Sequence, residues 1–157
     1  MQKLQKKVED VFLKLLLKKS FHEIEITEIQ KKTRISPKKF CQLFATKEDI
    51  MISFFKRIDQ NVEKNIKKKV LGNNFKDNLF EIFMTRIDLL HPYKKNLYNF
   101  YLSFQKEPNL FIKLYKSFFK SMENNLKLSR VNLEPIKKKS ENFHFFFFIF
   151  VNNLRMA

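Results

Sequence analysis

Apolar residues recur at helical spacing along most of the chain. Leu4, Val8, Val11, Phe12, Leu15 and Leu16 share one face of a 3.6-residue period, which predicts a first amphipathic helix ending near residues 20–21. Ile24, Ile26 and Ile29 predict a short second helix over about residues 25–32. Ser36 followed by Pro37 pairs an N-cap residue with proline at the first helical position, so a third helix is predicted over 37–44. Thr46-x-x-Asp49 is a relative of the capping box and opens a fourth helix. In that helix Ile50, Phe54, Ile58, Val62, Ile66 and Val70 repeat every four residues up to Gly72. A four-residue repeat advances about 400° per step, so the stripe creeps about 40° each time. Such a helix is expected to face one set of neighbours through Ile50 and Phe54 and another through Ile66 and Val70.

The rhythm resumes after Gly72-Asn73-Asn74. Phe75, Leu79, Ile82, Phe83, Ile87 and Leu90 predict a fifth helix, and His91-Pro92 breaks the pattern before a sixth with Tyr93, Leu97, Phe100, Tyr101 and Phe104. Glu107-Pro108 opens a seventh, carrying Phe111, Leu114, Tyr115, Phe118, Phe119, Met122 and Leu126. The expected fold is all-α: a three-helix head (1–46), a connecting helix (47–72) and a helical body (73–157). One Gly, four Pro and one Cys leave no phosphate-cradling glycine loop, no disulfide framework and no multi-cysteine metal site. The longest apolar run, residues 145–151, is too short to span a bilayer as a helix. A cytoplasmic location is expected.

Charge adds a second layer. The net charge is +16, but 27 Lys against 5 Arg and only two Ala point to an A/T-rich coding bias, so the total identifies no partner. Its placement is more informative. Lys31, Lys32, Arg34, Lys38 and Lys39 put five cations and no anion in nine residues, across the joint of the second and third helices. Two short helices joined by a tight turn have the spacing of a helix-turn-helix, whose second helix enters the major groove.

The run of Phe21, Ile26-Thr27-Glu28-Ile29, Ile35-Ser36, Phe40, Phe44 and Thr46-Lys47-Glu48-Asp49-Ile50 resembles the N-terminal domain of the TetR family of bacterial transcriptional regulators. The resemblance covers residues 8–55; helices five to seven fit the family's ligand-binding body by order and length only. It implies a homodimeric regulator, a ligand-responsive repressor, that binds a palindromic operator in double-stranded DNA and releases it when a small hydrophobic effector enters the body. It also implies that Ser36, Pro37, Lys38 and Lys39 meet base edges and phosphates, and that Gln42 reaches a base. Lys47 would contact phosphate at the start of helix four, and Thr27 would reach the backbone from helix two. The sequence departs from the family at Arg34, where Gly is preferred, at Gln30 for Ala, at Cys41 for Tyr and at Leu43 for His.

The aromatics of the body admit two readings. Phe83, Tyr98, Tyr101, Phe104, Tyr115 and Phe118 line an apolar ligand cavity, or they form the packed core. No catalytic constellation is visible: His22, His91 and His144 lie on different elements, and Cys41, with no adjacent His, reads as a small packing residue. No enzyme activity, cofactor or metal is expected. The tail, with Lys137-Lys138-Lys139 and the block Phe145–Phe148, fits neither helical nor strand period and reads as a truncated body with an incomplete dimer interface. A second functional class stays open. The TetR fold is shared by a lipid-binding accessory protein of ubiquinone biosynthesis that has lost DNA binding, and the Phe-rich tail suits that reading.

Overall fold

Local capping chemistry sets three of the helix starts. The computed structural model describes residues 1–104 and 108–129, the side chains of 104–113 excepted. It holds α1 (Gln2–Leu16), α2 (Ile26–Thr33), α3 (Pro37–Leu43), α4 (Lys47–Ile66), α5 (Phe75–Leu90), a 3-10 turn (His91–Tyr93), α6 (Lys94–Phe104) and α7 (Pro108–Leu128). The fold is all-α, with no strand among the described residues. Ser36 caps α3 by accepting from the Lys39 amide at 3.3 Å, with Pro37 at the first helical position. Thr46 and Asp49 close a reciprocal capping box on α4: the Asp49 amide donates to Thr46 Oγ1 at 3.4 Å, and the Thr46 amide donates to Asp49 Oδ2 at 2.8 Å.

The turn between α2 and α3 is left-handed at Arg34, φ 56° and ψ 44°. The Ile35 amide bonds back to the Gln30 carbonyl at 3.1 Å, which satisfies one of the free carbonyls at the end of α2. An L residue in this region costs about 1–2 kcal/mol relative to right-handed backbone. Arg34 therefore holds the tight turn at an energetic cost that glycine would avoid.

One hydrophobic cluster runs from Val8 to Leu114 without a break between head and body. Helix α1 packs on α2, α4 and α6, and α4 packs on α1, α5 and α7. Ile50, Met51, Phe54, Ile58, Val62 and Ile66 are all buried along α4. The expected end of this stripe is corrected. After Ile66 the chain leaves the helix through short-range bonds, Lys68 amide to Asn65 carbonyl and Lys69 amide to Ile66 carbonyl, so the four-residue period stops and Val70 is fully exposed. Phe54 reaches the body as well as the head, since its ring meets Tyr93 edge-on at 4.9 Å.

A second correction concerns α5. The apolar stripe predicted its buried face, yet Phe75 and Ile87 are exposed, together with Phe80 and Met84. The face turned inward carries Asn78, Ile82, Thr85, Arg86 and Leu90. A buried arginine explains the rotation. Arg86, 3% exposed, donates through Nη1 to Asp59 on α4 and to Ser121 Oγ on α7, the latter at 2.7 Å. Ser121 in turn donates to Asp59 Oδ1 at 2.8 Å. Three helices are thus joined by one polar cluster, and the helix turns to place its charged member there.

Side-chain bonds also tie the head to the body. Asn96 and Asn99 of α6 donate their amides to the carbonyls of Leu13 and Leu16 at 2.6 and 2.7 Å, and the Phe21 amide donates to Ser103 Oγ at 3.3 Å. Buried Glu9 of α1 accepts from Ser53 Oγ at 2.7 Å and from Arg57 Nε at 2.6 Å. Burial works against the Arg57 charge, but the Glu9 bond and its negative charge, followed by Tyr93, hold its pKa above the ordinary arginine value.

Candidate nucleic-acid interface

Helix α3 is anchored by very little. Of its seven residues only Phe40 is buried; its ring lies 6.0 Å from that of Phe44, the residue that ends the helix. Pro37, Lys38, Lys39, Cys41 and Gln42 are exposed, as is the cap Ser36. The packing role expected for Cys41 is thereby corrected: the thiol faces solvent. On α2, Thr27, Lys31 and Lys32 are also exposed, and Arg34 stands out at the turn.

The electrostatics of this face are one-sided. Lys31, Lys32, Arg34, Lys38 and Lys39 make no ion pair within the described structure. Glu28, the nearest acid on α2, is engaged by Lys19 from the end of α1 at 2.9 Å. Six of the seven residues expected to meet DNA, namely Thr27, Ser36, Pro37, Lys38, Lys39 and Gln42, are exposed.

Lys47 differs from the other six. Its side chain turns toward the α1–α2 loop, where Nζ donates to the carbonyls of Phe21 and His22 at 3.0 and 3.3 Å and sits 4.9 Å above the Phe21 ring. Two of its three donors are engaged in holding this loop against the start of α4.

The six aromatics expected to line a cavity are spread over three helices. Tyr98 points outward with 41% of its surface exposed, while Phe83, Tyr101, Tyr115 and Phe118 are half-buried. The side chain of Phe104 lies outside the described residues, as do the tail segments 137–139 and 145–148. A groove of about 750 Å³ opens elsewhere, between α4 and α7, and none of the six lines it. Lys56 and Gln60 of α4 and Lys116 and Lys120 of α7 form its sides, with Asp59, Ser121 and Asn125 also lining it. One signal for it lay in α7, where Ser117, Ser121 and Asn125 recur every four residues and trace an uncharged polar line along the helix.

No protein-family model matches the chain, and no curated protein or solved structure was found to match it.

Proposed function

We propose that this chain is a DNA-binding transcriptional regulator of TetR-like architecture, a cytoplasmic, ligand-responsive repressor that acts as a homodimer on a palindromic operator. The observation that carries this reading is the cluster of five exposed cations, without ion pairs among the described residues, on a helix-turn-helix whose second helix is held by Phe40 and in part by Leu43. A short helix anchored on one side leaves its other side available to a groove. Lys38 and Lys39 supply point charges for phosphates, which favour affinity over discrimination, and the amide of Gln42 offers the donor and acceptor that pair with an adenine edge.

The test is the salt dependence of duplex retardation. Replacing Lys38 and Lys39 with Ala is expected to weaken binding on all sequences and to lower the slope of log K against log salt by about 0.9 for each phosphate no longer neutralised. Gln42→Ala should instead alter preference between sequences. An unchanged slope in the double variant would remove these lysines from the interface. The alternative reading, a lipid-binding accessory protein, draws on the exposed apolar line Phe80, Met84 and Ile87 of α5 with Tyr98 and Leu102 of α6. It predicts lipid in the purified protein and no retardation of DNA.

A further inference from the structure

We propose that the groove between α4 and α7 is a binding site for a small organic anion, a carboxylate or phosphate group carrying a short apolar portion. Its charge favours such a ligand. Of the ionisable residues that line it, Asp59 is neutralised by Arg86, Glu63 is paired with Lys67 and Lys127 is paired with Glu123. Lys56, Lys116 and Lys120 remain exposed, with no ion pair within the described structure. What is left over in the groove is therefore positive.

A lining amide points the same way. Asn125 lines the groove and is 2% exposed, and its Nδ2 has no hydrogen-bond partner among the described residues. A buried amide that donates to nothing has lost its water without compensation, and an acceptor oxygen that reached it from the groove would restore the bond. Ser121, one turn earlier on the helix, directs its hydroxyl to Arg86 and Asp59. Nδ2 can only donate, and the flanking ammonium groups can only donate, so the complementary ligand group is an acceptor with negative charge. Ile52 and Leu128 add apolar surface, which suits a short hydrocarbon beside the head group.

Anion binding at this groove is measured on the chain without DNA, so its readout is separate from retardation. Calorimetric titration of the full chain with hexanoate, hexyl phosphate and inorganic phosphate, with hexylamine as the cationic control, tests it. At least one of the three anions is expected to bind saturably with one site per chain, and hexylamine is not. Preference for hexanoate or for the two phosphates assigns the head group. Lys116→Ala with Lys120→Ala should weaken binding by about tenfold or more, as loss of charge-assisted hydrogen bonds does. Both lysines are exposed, so this variant keeps the fold. Asn125→Leu should weaken it further, and Lys38→Ala with Lys39→Ala should leave it unchanged. Absence of saturable binding by all three anions would overturn the proposal, as would equal losses in the head and groove variants or full affinity in the groove variant.

Discussion

The head and the body of this protein distribute polarity in opposite ways. In the head, Phe40, Phe44, Ile29 and Ile35 are inside and the cations of α2 and α3 are outside without ion pairs. In the body, Arg86, Asn78, Thr85 and Asn125 are inside, while Phe75, Phe80, Met84 and Ile87 face out. Apart from Glu9, which is buried against Arg57 and Ser53, the head follows the ordinary rule that hydrophobic burial stabilises and charge stays wet. The body departs from it, and the departure depends on specific partners: one arginine needs one aspartate and one serine from two other helices. A surface built in the first way tolerates change in its charges. An interior built in the second way relies on each member of its cluster.

The largest expected effect lies in that interior. Asp59→Leu leaves the Arg86 guanidinium buried without its counter-charge, and should lower stability in urea denaturation by about 3 kcal/mol. Asp59→Leu combined with Arg86→Leu should recover most of that loss, since removing both partners leaves no uncompensated charge. If the single and double variants are equally unstable, the cluster is not the reason α5 turns its polar face inward. No such sensitivity is expected of Lys38 or Lys39, whose removal should shift DNA affinity and leave the urea midpoint in place.

A smaller effect, of opposite sign, is expected at the turn. Arg34→Gly relieves the left-handed backbone, offset by the greater freedom of glycine in the unfolded chain, for a net gain of about 0.5–1 kcal/mol. The same change deletes one cation from the interface, so the variant should be more stable and bind DNA less well. A loss of stability would mean that Arg34 makes interactions that outweigh its strain.

The smallest effect belongs to the exposed pair Lys19–Glu28. The hydrogen bond to Glu28 raises the Lys19 pKa, and the same bond from Lys19 lowers that of Glu28. A lowered carboxylate contributes stability above its unfolded value and loses it as pH falls through the folded one; a raised ammonium contributes below its unfolded value and loses it as pH rises through the folded one. The pair thus acts between the carboxylate and lysine ranges. Lys19→Met should shift the urea midpoint slightly at about pH 7, by an amount that shrinks as the pH falls through the lowered Glu28 range.

Legibility in the sequence follows the same division. Helix starts could be read because caps are local: Ser36-Pro37 and Thr46-x-x-Asp49 contain their own partners. The exposed basic face could be read because its residues adjoin one another. What escaped was everything that depends on distant segments. The α5 stripe held at Ile82 and Leu90 but failed at Phe75 and Ile87, because Arg86 finds Asp59 across 27 residues and Ser121 across 35. The end of α4 was overrun because Val70 continued a period after the backbone had left the helix. Lys47 also carries a structural role that its sequence position did not show, since two of its three donors go to Phe21 and His22. The groove drew on α4 and α7, whose residues only meet in the fold.

The amides of Asn96 and Asn99 have a consequence for the order of assembly. The carbonyls that they satisfy, of Leu13 and Leu16, are 83 residues earlier in the chain. During synthesis α1 can coil as soon as it emerges, but these two bonds must wait for α6. Contacts so remote in sequence slow the search for the native state, because the intervening loop has to close first. The first helix to be made is therefore among the last to be completed, and the head matures together with the body rather than ahead of it.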